Sequence, residues 1–268
     1  MPELHAPYAQ SYDDGRRPDD RRVSPEARSF APPAPADSLA FPFIAGRVEL
    51  SVRLTARPLF DLRRRAQAGV HLSRSLSRAF PVSGPFGGGK PRLEPADVMK
   101  LDAATLARGL ELLTQAGPGA VVSPVCWSTI ASPRGRFALL YAGLEGRPEA
   151  TRLLVEVLAP PPDLDADTLD NCTSHIEAQE RGLLLRAAPD LSALHQLEGA
   201  GLKGVSLDLT GLDFDTAIGR QCAQQVMVAA RRVAPSVMVL GLPASLAEEA
   251  AAAGATHAVM CERVAVTA

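Results

Sequence analysis

The chain has 268 residues, a formal net charge of −2 and 46% hydrophobic residues, enough to fill one substantial core or two small ones. This balance argues against a nucleic-acid or polyanion surface, which is usually strongly basic. Its 4 cysteines are scattered without a CxxC pair, no apolar run approaches the roughly 20 residues of a membrane span, and no signal-peptide pattern opens the chain. These features predict a reduced, cytoplasmic protein without a disulfide framework, a structural zinc site or a membrane span.

Residues 1–45 are predicted to form a disordered tail. DDGRRPDDRR mixes both charge signs without apolar periodicity, and APPAPADS favours extended, polyproline-like conformations. The tail is interpreted as a linker, with a docking peptide as the alternative.

Residues 46–268 alternate β-like runs with helical patterns, which indicates a parallel α/β domain. The predicted strands are 48–54, 69–72, 120–127, 152–158, 182–186, 204–209, 237–242 and 257–261. The predicted helices are 102–115, 137–144, 191–200, 216–233 and 246–253. Eight strand candidates favour a closed (β/α)8 barrel over an open sheet, although periodicity alone does not decide between them.

One segment, VELSVRLTARPLFDLRRRAQAGVHLSR at residues 48–74, is the most informative. It resembles the opening of an EAL domain, the fold of cyclic-di-GMP phosphodiesterases, in which a YQPIVDL-like strand and a turn precede the strand that carries Glu-Ala-Leu. The resemblance continues to about residue 261, where RLLVEVLAP, GVSLDLTGL and SVMVLGLPASL follow the RLxLEITE, PVDYLKID and VVAEGVET motifs in order and spacing. It implies a TIM-type barrel whose first strand is antiparallel, because the short turn RRRAQAG replaces a crossover helix.

Hydrolysis in the EAL family requires divalent metals, held by oxygen ligands at the C-terminal ends of the strands. In this alignment, His71 stands at the Glu of the EAL motif, while Glu156 and Asp208 keep two acidic positions. These three are predicted to be vestigial, with the carboxylates held by hydrogen bonds or by a nearby arginine. The other aligned positions have become Pro124 or Val125, Ala159, Ala187, Ala188, Ser206, Gly241 and Val259. Two carboxylates on different strands do not clamp two Mg²⁺ ions, so no catalytic residue, metal or cofactor is predicted.

Three arginines are candidates for anion or nucleotide contacts. Arg57 replaces the Gln of the first motif, Arg74 lies one place before the family's usual Arg, and Arg186 is expected in the barrel mouth. The sequence shows no aromatic platform for guanine stacking. The loop SGPFGGGKP matches only the first part of a Walker A motif, because Pro91 stands where Ser or Thr binds Mg²⁺.

The resemblance and the missing ligands together predict a non-catalytic EAL-like domain. Such a domain would act as a regulatory or scaffolding protein in bacterial cyclic-di-GMP signalling, motility or cell-cycle control. The expected contact regions for a protein partner are the tail and the segment 80–90, which contains Phe80 and Phe86. The alternatives are a cyclic-di-GMP receptor, a residual metal-dependent phosphodiesterase, and an unrelated (β/α)8 enzyme with its own site.

Overall fold

The structure, a computed structural model, describes residues 37–78, 93–113, 119–144, 152–161, 164, 166–177 and 182–261. Its strands are β1 (Asp37–Ala45), β2 (Val48–Asp61), β3 (Ala66–Arg78), β4 (Ala120–Cys126), β5 (Arg152–Leu158), β6 (Gly182–Ala187), β7 (Gly204–Asp208), β8 (Ser236–Pro243) and β9 (His257–Cys261). Its helices are α1 (Pro95–Leu113), α2 (Trp127–Ala131), α3 (Pro133–Leu144), α4 (Ala166–Glu177), α5 (Leu191–Gln196), α6 (Ala217–Val233) and α7 (Ala247–Ala252), and a 3-10 turn (Ala244–Leu246) precedes α7.

Strands β2 to β9 form a closed eight-stranded barrel in which β2 is antiparallel to both neighbours. β2 pairs with β3 and, starting from Leu59 opposite Val259, with β9. All pairings from β3 to β9 are parallel. A turn joins β2 to β3, where Asp61 Oδ1 accepts hydrogen bonds from the amides of Arg63 and Arg64, both at 2.9 Å. The predicted closed barrel with an antiparallel first strand is confirmed.

The strand that precedes the barrel lies where the sequence predicted a disordered tail. β1 pairs antiparallel with β2, from Asp37 opposite Ala56 to Ala45 opposite Val48. Pro42 is tolerated because β1 is at the edge of the sheet, where a missing amide hydrogen does not interrupt a central ladder. Residues 37–45 therefore belong to the sheet, which corrects the predicted boundary, and residues 1–36 lie outside the described part of the chain.

The core has an inner and an outer layer around the barrel. The inner layer consists of Leu59, Val122, Leu184, Met238, Leu240 and Val259. The larger outer layer lies between strands and helices, and includes Val121 and Val125 of β4 with Leu106 and Leu110 of α1. Successive side chains of a strand point alternately into the barrel and towards the helices. Only the inward-pointing residues near the C-terminal end of each strand can therefore reach the barrel mouth.

Beyond the barrel, β2 and β3 continue as a three-stranded antiparallel sheet with β1. Val52 and Leu54 of β2 are fully buried against Leu101 of α1. This sheet anchors α1 beside the C-terminal end of the barrel. Throughout the described residues, no helix combines the length and apolar character needed to cross a membrane.

Candidate functional site

Five polar side chains from four of the strands meet inside the C-terminal end of the barrel. His71 comes from β3, Glu156 from β5, Arg186 from β6, and Ser206 and Asp208 from β7. In β5 and β6, Glu156 and Arg186 lie two residues after Leu154, which packs against the inner layer, and Leu184, which belongs to it. The period of two therefore places both polar side chains in the barrel. The structure thus brings together the three predicted vestigial positions.

Glu156 is the centre of this cluster and is 0% exposed. Its Oε1 accepts hydrogen bonds from Arg186 Nε at 3.0 Å and from Ser206 Oγ at 2.6 Å. Its Oε2 accepts from Arg186 Nη2 at 2.8 Å and pairs with His71 Nε2 at 2.9 Å. A carboxylate offers about four lone-pair sites, so this chain's own donors occupy the whole hydrogen-bonding capacity of Glu156.

The protonation state of the cluster follows from these contacts. Burial raises the pKa of Glu156, but the hydrogen bond and charge of His71, the charge of Arg186 and the Ser206 hydroxyl outweigh it and lower the pKa to about 2. Glu156 is therefore ionised at neutral pH. Since both its oxygens are then acceptors, His71 carries a proton on Nε2 and donates it to Oε2.

Arg186 lies between the two carboxylates that the sequence singled out. Two of its nitrogens bind Glu156, and its Nη1 lies 3.8 Å from Asp208 Oδ2. The other Asp208 oxygen, Oδ1, accepts from the backbone amide and the hydroxyl of Thr210 at 3.2 and 2.7 Å. No group of three or more His, Cys, Asp or Glu residues in the described chain is placed to hold a metal ion. Because His71, Arg186 and Ser206 engage both oxygens of Glu156, the described residues of this site do not fit the metal centre that the resemblance implies.

Gly241 of β8 has a backbone conformation and a close neighbour that leave no room for a larger side chain. It stands where the alignment has the Glu of EGVE, and its φ is 77°, in the left-handed region. A Cβ on Gly241 would lie 2.5 Å from Thr210 Cγ2 and 2.9 Å from its Cα. A carboxylate side chain does not fit there without a backbone movement.

The other two candidate arginines lie outside the Glu156 cluster. Arg57 is exposed and lies opposite His71 in the β2–β3 register, at the rim of the mouth. Arg74 points to the outer face of β3, where Nη1 forms an ion pair with Asp102 Oδ1 at 2.5 Å. An anion contact by Arg57 stays a prediction, whereas this geometry disfavours one by Arg74 because its guanidinium is committed to Asp102.

The network around Asp102 is buried and was not recognised in the sequence. Besides Arg74, Asp102 accepts hydrogen bonds from the Cys126 amide at 2.9 Å and the Thr129 hydroxyl at 2.5 Å. Arg74 also donates to Thr105 Oγ1 and Cys126 Sγ, each at 3.2 Å. Burial raises the pKa of Asp102. This effect outweighs the lowering by Arg74 and by the hydrogen bonds from Thr129 and the Cys126 amide. The network ties β3, α1 and the β4–α2 junction together.

Comparison with solved structures identifies the fold. An EAL domain protein from Listeria monocytogenes EGD-e is 14% identical, with a TM-score of 0.53 over 77% of this chain and 85% of that chain. The EAL domain of Xanthomonas citri FimX in complex with c-diGMP is 14% identical, with a TM-score of 0.53 over 77% of this chain and 84% of that chain. The PaMucR phosphodiesterase in its c-di-GMP complex is 13% identical, with a TM-score of 0.53 over 77% of this chain and 92% of that chain.

The sequence similarity is too low to assign the chain to a family. No protein-family model matches it, and no curated protein matches it. Identities of 13–14% establish the fold alone. The closed barrel, its antiparallel strand β2 and these structural relatives lead to one conclusion: the chain has the fold of EAL domains.

Proposed function

We propose that this chain is a non-catalytic EAL-like domain that regulates or scaffolds other proteins, in cyclic-di-GMP signalling, motility or cell-cycle control. The observation that carries the proposal is the saturation of Glu156 by Arg186, His71 and Ser206. A divalent cation would have to displace these donors and approach the guanidinium, which repels it. Water activation and charge neutralisation by a metal would both be lost.

A hydrolysis assay with the purified full chain tests the catalytic part of the proposal. With Mg²⁺ or Mn²⁺, we expect no conversion of cyclic-di-GMP to the linear dinucleotide above the protein-free rate, measured by liquid chromatography. A Glu156→Ala variant, checked for folding by circular dichroism, should give the same background. Metal-dependent product that disappears in this variant would contradict the proposal and establish a residual phosphodiesterase.

Calorimetric titration of the same preparation addresses the alternative of a cyclic-di-GMP receptor. The observation that favours this alternative is that two of the similar structures are c-di-GMP complexes. The exposed Arg57 at the rim of the mouth is the candidate phosphate contact in that case. Binding without hydrolysis, weakened by Arg57→Ala, would favour the receptor over the scaffold.

Two exposed aromatic side chains on α3 form an apolar feature suited to a protein contact. Phe137 and Tyr141 lie one turn apart on α3 and are 69% and 59% exposed. Adjacent exposed aromatic side chains are enriched at protein interfaces. Two regions were predicted from the sequence, the tail and the segment 80–90. Residues 1–36 of the tail and the whole segment lie outside the described residues, so these contacts stay predictions.

A double serine variant tests this surface. We expect Phe137→Ser with Tyr141→Ser to leave the thermal unfolding temperature nearly unchanged and to weaken the capture of a partner protein at least tenfold. The control is Ile218→Ser on α6, which removes an apolar side chain that is 75% exposed. Equal capture by wild type and the double variant would remove α3 from the interface.

A further inference from the structure

A cavity of about 440 Å³ opens beside the Glu156 cluster, between the ends of β5, β6 and β7 and the helix α5. Its walls are mostly apolar and include Ala159, Pro160, Pro161, Leu164, Leu185 and Leu197. Small-molecule sites are typically cavities of roughly 300–1,000 Å³ with apolar walls and a few polar groups. This cavity has both properties, and the proposed scaffolding role does not account for it.

The charged side chains that line the cavity are Arg186 and Asp208, and Gln196 adds an amide on the α5 side. Arg186 uses Nε and Nη2 for Glu156, while its Nη1 lies 3.8 Å from Asp208 Oδ2, beyond hydrogen-bond distance. Asp208 directs Oδ1 to Thr210. Within the described residues, Nη1 and Oδ2 make no hydrogen bond. Where Arg186 and Asp208 meet, the cavity therefore presents one donor next to one acceptor.

The charges around this pair favour a neutral ligand group. Glu156 already balances Arg186, so a ligand anion would gain little from the guanidinium and would be repelled by Asp208. A ligand cation near Asp208 Oδ2 would lie close to the guanidinium and be repelled in turn. A neutral group that both accepts and donates satisfies both atoms, and an amide held in the cis form, as in a lactam ring, has its C=O and N–H on one edge.

We propose that this cavity binds a small, largely apolar molecule through a lactam edge. The ligand carbonyl accepts a hydrogen bond from Arg186 Nη1, the ligand N–H donates to Asp208 Oδ2, and the remaining ring packs on the proline and leucine walls. Pairing both groups at once avoids leaving either one without a partner once the ligand covers it. The site goes beyond the proposed function because it gives the domain a small-molecule input.

A pair of matched ligands tests the proposal on the unmodified full chain. Isoquinolin-1(2H)-one carries the lactam edge, and its N-methyl derivative lacks only the N–H donor. In calorimetric or NMR titrations, we expect the N-methyl compound to bind at least tenfold more weakly. Equal affinity of the two compounds, or no binding of either, would overturn the proposal, and this comparison needs no folded variant.

Variants locate the binding in the cavity. Ala193 of α5 lines the cavity, so Ala193→Leu should fill it and reduce lactam affinity at least tenfold. In Asp208→Ala the two compounds should bind alike. The control Ala131→Leu, at an exposed position of α2 away from the cavity lining, should bind as wild type does. Undiminished lactam binding by folded Ala193→Leu would also refute the assignment.

Discussion

Replacing Arg186 with methionine is expected to lower the free energy of unfolding by about 3 kcal/mol at neutral pH. The substitution removes two of the four hydrogen bonds to a carboxylate that is 0% exposed, and it leaves that negative charge with His71 and Ser206 as its only described partners. The remaining partners keep the loss near the lower end of the range for broken buried ion pairs. Urea unfolding followed by circular dichroism measures the change.

The matched control removes both charges. In the double variant Arg186→Met with Glu156→Met, no buried charge is left uncompensated, and most of the stability should return, since buried ion pairs are often replaced by apolar residues at little cost. An Arg186→Met protein as stable as wild type would show that Arg186 is not what compensates Glu156.

The same carboxylate gives the wild type a defined pH dependence. The pKa of Glu156 is about 2 in the folded protein, against an ordinary value of 4.5. Because the folded pKa is the lower one, the stability from this group is complete above pH 4.5 and is lost as the pH falls towards 2. Glu156→Gln should flatten this part of the stability profile.

The second large effect is expected at Arg74. Arg74→Leu leaves Asp102, which is 0% exposed, without its cation, and the free energy of unfolding should fall by about 3–5 kcal/mol at neutral pH. Thr129 and the Cys126 amide still donate to Asp102, but two neutral donors do not replace the charge of a guanidinium. Chemical unfolding at constant ionic strength is the suitable measurement.

The pH profile of this variant distinguishes it from the Arg186 variant. The pKa of Asp102 is raised above 3.8 by burial, so its ionisation costs stability as the pH rises from 3.8 through the folded pKa. Removing Arg74 should enlarge this loss of stability with rising pH. The stability that Glu156 contributes changes in the opposite direction, because it increases with pH. The double variant Arg74→Leu with Asp102→Leu should restore stability near neutral pH, and its failure to do so would assign the loss to packing of Arg74.

The barrel could be predicted from the sequence because the apolar pattern of each strand is local and recurs along the chain. Runs such as RLLVEVL and SVMVLGL are apolar on both faces, as strands covered inside and outside must be, and the two-sided pattern recurs along the chain. Helices α2 and α4 were not predicted. α2 has only five residues, too few to show a helical period. α4 does place Leu169, Cys172 and Ile176 at helical spacing, but its remaining residues are mostly polar, and this signal was missed. β1 was hidden by the prolines that precede and interrupt it.

The site was only partly predictable. Glu156, Asp208 and His71 could be named from aligned motifs, but the partnership of Glu156 with Ser206 depends on the spatial order of β5, β6 and β7. The period of two offered a signal, since it puts Arg186 on the same face as Leu184. No comparable signal exists for Arg74 and Asp102, which lie on different elements and meet only after α1 has packed against the sheet.

The way the barrel closes has a consequence for how the chain acquires its fold. The β2–β9 seam consists of three residue pairs, beginning with Leu59 and Val259. These two residues are roughly 200 positions apart in the chain, and contacts of such high sequence separation slow folding. A ribosome must release nearly the whole domain before the seam can form. Until then the apolar inner faces of β2 and β9 are exposed to solvent. The nascent chain depends on early local pairs such as β2–β3 to avoid association with other chains.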